Sequence, residues 1–136
     1  MAKKASITKL KKKLDKYFSL YIRLKNADSN GYNYCYTCNK RDYYKYLQCG
    51  HFISRKYLAT RFDEDNCRPQ CPACNVFRYG EQYRFGQKLG TKLAEQLQVK
   101  SRSTLKIMAV EYQEKISYYK KIVDKLIKAK ANSTEF

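Results

Sequence analysis

Four of the six cysteines stand in two CxxC pairs, Cys35-Tyr36-Thr37-Cys38 and Cys71-Pro72-Ala73-Cys74. Each pair can offer two thiolates to one cation from a tight turn, and two such pairs complete a tetrahedral sulfur cage. That donor set suits Zn²⁺, which has no d-electron preference and tolerates a closed, soft site. The 32 residues between the pairs exceed the spacing of a short finger. One structural Zn²⁺ on Cys35, Cys38, Cys71 and Cys74 therefore closes a whole loop, and a centre too small and polar to fold by burial draws folding free energy from it. Cys49 and Cys67 are left over. Two full pairs already satisfy zinc, so both are expected to be small buried fillers, with a Cys49/His51 ligand pair as the alternative.

The loop between the pairs holds the single histidine, in Gln48-Cys49-Gly50-His51-Phe52, and a polar run, Arg61-Phe62-Asp63-Glu64-Asp65-Asn66. Asn75 follows the second pair directly. An unperturbed histidine titrates near ~6.5 and can take a proton from water as a general base. An asparagine carbonyl in the first turn of a helix opened by Pro72 can face a hard cation such as Mg²⁺ or Mn²⁺. Such a cation stabilises a leaving oxygen and charge building on phosphorus. Asn66 suits a different task, fastening the loop that carries His51 through backbone hydrogen bonds. Six of the eight arginines lie in this central segment: Arg41, Arg55, Arg61, Arg68, Arg78 and Arg84. Guanidinium forks clamp phosphate bidentately, and Arg55, Arg61, Arg68 and Arg78 are the expected DNA contacts. Tyr32, Tyr34, Tyr36, Tyr43, Tyr44 and Tyr46 could stack on exposed bases. The favoured reading is packing of a small two-stranded unit.

The elements that must position these residues show in the spacing of apolar side chains. Leu10, Leu14, Tyr17, Tyr21 and Leu24 recur at helical intervals over residues 6–25, with lysines opposite. Asn26 to Gly31 carry turn chemistry that stops this helix. Periodicity vanishes over residues 31–80, which predicts short strands and loops. Gly80 and Gly90 bracket a short helix at 81–89, and another is expected at 91–98. Ser103 or Thr104 is the expected cap of a long last helix with Leu105, Met108, Tyr112, Ile116, Tyr119, Val123 and Leu126 on one face.

The formal charge of the 136 residues is +17, with about +7 in residues 1–30, +5 in 31–99 and +5 in 100–136. A positive field over the whole chain implies a polyanionic partner, nucleic acid before an anionic membrane surface. No run approaches the ~18 apolar residues of a membrane span, and the lysine-rich N-terminus is no signal core. An intracellular, cytoplasmic protein is expected, in which cysteines serve as metal ligands before disulfides.

Histidine, asparagine, then a ligand-type asparagine straight after a CxxC is the order of the HNH (ββα-metal, His-Me finger) nucleases. From about Tyr34 to Gly90, some 40% of the chain, the run C-x-x-C, G-H-F, R-F-D-E-x-N, P-Q-C-x-x-C-N and a later glycine resembles the lambdoid phage NinG/Rap recombination endonucleases. It is similar, more loosely, to phage endonuclease VII. The resemblance implies an α+β fold: a small zinc-stabilised ββα-metal centre flanked by an N-terminal helix and long C-terminal helices. It divides the chain into a basic helix (1–30), a zinc-bound nuclease core (31–90) and C-terminal helices for dimerisation and DNA backbone contact (91–136). It further implies a phage protein in a bacterial host that cuts branched DNA as a Holliday-junction resolvase does, with His51, Asn66 and Asn75 as catalytic residues. Zinc would be the scaffold and Mg²⁺ or Mn²⁺, on Asn75, the catalytic cation. Many relatives carry an aspartate just before the histidine as second metal ligand; here Gln48, Cys49 and Gly50 fill those places, and the alternatives are substitution by Asp63, Glu64 or Asp65, or a cation held mainly by Asn75, water and the scissile phosphate. A homodimer would match the near two-fold symmetry of a four-way junction. The alternatives are an HNH nickase or restriction-type enzyme on duplex DNA, and a non-catalytic zinc-ribbon module that only binds.

Overall fold

The computed structural model describes residues 2–133, with side chains over 6–130. The chain is α+β, as the sequence predicts. Helix α1 (Ala2–Leu24) leads into two antiparallel strands, β1 (Tyr32–Tyr34) and β2 (Arg41–Tyr43). A second antiparallel pair follows, β3 (Gln48–His51) with β4 (Cys67–Gln70), and the short helix α2 (Leu58–Arg61) lies between its strands. After β4 come a wide helical turn (Ala73–Phe77), α3 (Gln82–Leu89), α4 (Thr91–Ser101) and the long α5 (Ala109–Ser133). Among the described residues no helix is long and apolar enough to cross a membrane.

Helix α1 buries Leu14, Phe18, Ile22 and Leu24 and leaves Lys9, Lys12, Lys13 and Lys16 exposed. The buried stripe is centred on Phe18 and Ile22 rather than on the expected Tyr17 and Tyr21, which lie half-buried at its edge. A tyrosine hydroxyl needs a polar partner, and at the edge Tyr21 finds one, donating to Glu64 at 3.2 Å. Beyond the helix the Asp28 carboxylate accepts from the backbone N–H groups of Asn30 and Tyr32, both at 2.9 Å, and turns the chain into β1.

Helix α5 packs its apolar face on α1. Phe18 and Tyr21 both meet Tyr119 with ring centroids 5.2 Å apart, and Leu24 clusters with Val123 and Leu126. The expected cap at Ser103 or Thr104 is corrected by the structure. The Ser103 hydroxyl donates back to the Lys100 carbonyl at 2.7 Å, so it closes α4. The last helix instead opens after Met108, whose N–H is accepted by the Glu111 carboxylate three residues on, at 3.2 Å. Leu105 and Met108 are consequently exposed, and Ile107 takes the buried place.

The tyrosine-rich stretch divides: Tyr44 is buried and Tyr36 and Tyr43 are half-buried, while Tyr32, Tyr34 and Tyr46 are exposed. Tyr43 contacts the rings of Tyr32, Tyr44 and Tyr46, while Tyr36 lies against Phe85 under the cations of Lys88 and Arg68.

Candidate metal centre and polar cleft

The four paired cysteines converge. Cys35 and Cys38 flank the turn after β1, and Cys71 and Cys74 lie at the end of β4 and in the helical turn that follows. Their sulfurs lie within 4.8 Å of one another, with Cys38 and Cys71 3.7 Å apart. Thiolates about 2.3 Å from a tetrahedral zinc sit about 3.8 Å from each other, so the cluster has the dimensions of a structural zinc site. Proton affinities within it diverge. Burial raises the Cys35 thiol, but the Thr37 hydroxyl and the N–H groups of Cys71, Cys38 and Thr37 outweigh it and bring the group down to about 6. Burial, with the sulfurs of Cys38, Cys71 and Cys35 nearby, pushes Cys74 up to about 12. Sulfurs this close cannot all carry charge alone, and a divalent cation removes that conflict.

Gln70 ties the centre to the second sheet. Fully buried, it donates to the Thr37 hydroxyl at 3.0 Å and to the Gly80 carbonyl at 2.9 Å, while its Oε1 has no partner. It lies across Gly50, where a Cβ would stand 2.0 Å from Gln70 Oε1. A side chain at position 50 would have to displace the buried Gln70 side chain.

On the other side of β3 opens a cleft of about 800 Å³ lined by His51, Asn75, Gln48, Arg55, Asp15 and Arg23, among others. His51 is half-buried, and its Nε2 lies 2.9 Å from the Arg61 carbonyl oxygen. A carbonyl can only accept, so Nε2 carries the proton and Nδ1 keeps the lone pair. Burial lowers the imidazole pKa below its ordinary 6.5, opposed by the bond to Arg61. Asn75 donates through Nδ2 to Gln48 Oε1 at 2.7 Å, so the residue after the second CxxC and one of the three that precede His51 are adjacent.

Asn66 is fully buried and binds the loop after β3 at three points. Its Oδ1 accepts from Ile53 N–H at 2.8 Å, and its Nδ2 donates to the carbonyls of Ile53 and Thr60 at 3.1 and 3.0 Å. It does not line the cleft with His51 and Asn75. Nor do Asp63, Glu64 and Asp65. Asp63 caps the turn at 64–66 and pairs with Lys100, Glu64 accepts from the hydroxyls of Tyr21 and Tyr119, and Asp65 is exposed. The carboxylate that does line the cleft is Asp15, from α1. It receives Arg61 Nε and an Arg61 terminal nitrogen at 3.1 and 2.5 Å. Sequence reasoning overlooked it, because nothing local links a helix 36 residues upstream to His51.

The four expected arginines divide. Arg55 is exposed at the cleft and Arg78 is exposed beyond the helical turn that carries Cys74. Arg61 is committed to Asp15, and Arg68 donates to the carbonyls of Glu64, Asp65 and Cys67. Arg23, from α1, is a cleft residue the sequence did not mark; it is held by the carbonyls of Tyr44 and Ser19. The leftover cysteines also meet: ligand atoms of Cys49, His51 and Cys67 lie within 4.8 Å, because the register sets His51 opposite Cys67. Cys67 is fully buried in the core with Leu14 and Phe18, and burial pushes its thiol well up, so it packs as a neutral filler. Cys49 is half-buried and reaches the cleft.

The fold and site define an α+β protein in which a four-cysteine centre, able to hold a structural metal such as zinc, backs a polar cleft with one histidine. A family model described as the bacteriophage lambda NinG protein matches residues 1–130, and the chain belongs to that family. Neither the curated proteins nor the solved structures contain a match.

Proposed function

We infer that the chain is a metal-dependent DNA endonuclease that cuts branched DNA, four-way junctions above all, in phage recombination. The observation that carries this reading is the His51 imidazole. Its Nε2–H is anchored on the Arg61 carbonyl and its Nδ1 is left basic, in one cleft with Asn75 and Arg55. Family membership supports the setting. In this reading β3, β4 and the helical turn at 73–77 are the two strands and helix of the ββα-metal nucleases, and the four thiolates hold a structural zinc beneath them.

His51 Nδ1 takes the proton of a water aimed at the phosphorus, and Arg55 holds the phosphate oxygens in the cleft. Asn75, with Nδ2 donated to Gln48, offers Oδ1 to Mg²⁺ or Mn²⁺. When bound, such a cation stabilises the leaving 3′-oxygen. Two neutral amides stand where relatives have a carboxylate beside a polar ligand, so the cation binds weakly and cleavage needs it added at about millimolar concentration. Asn66 acts as a positioning residue through the loop it binds. A second copy of the chain would be required to cut the opposing strand of a junction.

The test is cleavage of a synthetic four-way junction against a linear duplex built from the same arms, with and without added Mg²⁺ or Mn²⁺. Metal-dependent cutting of the junction is expected. His51→Ala should lower the rate about 10²–10⁴-fold with junction affinity nearly unchanged. Preferred cutting of the duplex would favour a nickase or restriction-type enzyme; tight binding without any cutting would reduce the chain to a zinc-ribbon binding module.

A further inference from the structure

The polar cleft does not end at His51. A second groove of about 640 Å³ adjoins it, with Phe52 and Gln82 lining both. The chemistry changes at that boundary. Arg23 and Arg55 line the first cleft, whereas the groove is lined by Gln82, Gln87, Gln98, Tyr83 and the ring of Phe52, and its one charged side chain is the anionic Glu95. Phosphates are held by cations. A base extruded from its duplex needs an aromatic face to stack on and amide groups for its edge.

Tyr79 lines the first space and Tyr83 the second, and both rings are exposed, as is that of Phe77 just before them in sequence. Phe77, Tyr79 and Tyr83 are 78%, 88% and 82% exposed, and Tyr79 belongs to the His51 cleft. Single exposed rings are ordinary. Three within seven residues are less so, and Tyr79 stands in unfavourable backbone: its φ is 54°, followed by 85° at Gly80 and 50° at Glu81. A bulky side chain is strained in the left-handed region, where glycine is not. A ring so exposed returns little to the fold for that strain, which points to a task outside it.

We propose that this groove binds an unpaired nucleobase, stacked on Tyr83 with its edge on the glutamine amides, while Tyr79 and Phe77 carry neighbouring bases of the same strand. The charge of +17 supplies complementarity for the backbone of that strand. The position of the base next to the cut rests on the nuclease reading; binding of the base does not.

The experiment is fluorescence anisotropy of the full chain, without added Mg²⁺ or Mn²⁺, on a forked duplex whose single-stranded arm either carries bases or is abasic. Both arms keep every phosphate. The abasic arm should bind about tenfold more weakly. Tyr83→Ala and Gln87→Ala should erase the difference, and Tyr83→Phe should keep it. Tyr79→Gly should weaken binding of the base-bearing arm while the melting temperature holds or rises, since the strain is released. An RNA arm bound as well as DNA would assign the groove to bases whatever the sugar. Equal affinity of the unaltered chain for both arms overturns the proposal, as does a base preference that survives Tyr83→Ala. If Tyr83→Ala turns a dimer into a monomer with the preference intact, the rings belong to a second copy and the proposal fails. No cleavage is read, so a failed nuclease reading leaves this result interpretable.

Discussion

His51 combines two features that a general base needs, a fixed ring and a proton-free nitrogen at neutral pH. The Arg61 carbonyl supplies the first, and the Asp15–Arg61 ion pair holds the segment from which that carbonyl projects. Partial burial supplies the second by lowering the imidazole pKa below 6.5. The neutral form then persists to lower pH than in a free histidine, so the acid limb of the cleavage profile should break below pH 6.5. A break above pH 7 would contradict the assignment. Linkage has the matching sign: the unfolded chain takes up the proton first as pH falls through 6.5, and this group's contribution to stability is lost from there down to its folded pKa.

Among the elements, the β3–β4 pair has the narrowest tolerance. One face presents Cys49, His51 and Cys67, while Gly50 lies beneath Gln70, which reaches the Cys35–Cys38 turn through Thr37. Gly50→Ala should therefore destabilise the chain by about 1–3 kcal/mol, the range for overpacking a filled interior, as read by urea unfolding. An unchanged midpoint would mean that Gln70 swings away at no cost. The same pair explains the role of α1. The helix covers this sheet with Leu14 and Phe18 and brings Asp15 and Arg23 to the cleft, so it is a wall of the site as well as a basic arm.

For the whole molecule, the four-cysteine centre and the α1–α5 packing are two sources of order joined through the β3–β4 sheet, whose Cys67 lies in one core with Leu14, Phe18 and Tyr119. Purified protein should contain about one zinc per chain, and chelation should loosen the segments around Cys35–Cys38 and Cys71–Cys74 before the core shared by Phe18, Cys67 and Tyr119. Elemental analysis of folded protein, with tyrosine fluorescence and hydrogen exchange before and after chelation, checks both parts. Folded chains free of metal would remove zinc from the account. The positive field acts at this scale too, and junction affinity should fall steeply with salt as counterions are released.

The sequence alone determined the four-cysteine cluster, the α+β character, the helical extensions and the placing of His51 between two CxxC pairs. These are local or pairwise features: a CxxC turn, a 3.6-residue period and a run of turn residues each act over a few positions. Tertiary structure decided which carboxylate reaches the cleft, which arginines stay free and which aromatics remain exposed. Asp63, Glu64 and Asp65 looked available by proximity in sequence, yet Lys100, Tyr21 and Tyr119 take up two of them and Asp15 arrives from a distant helix. Arg61 and Arg68 resembled Arg55 in sequence but differ in partners. A charged side chain half-removed from water must be paired, and the identity of its partner depends on which surfaces the helices bring together. Spacing along the chain carries no record of that choice.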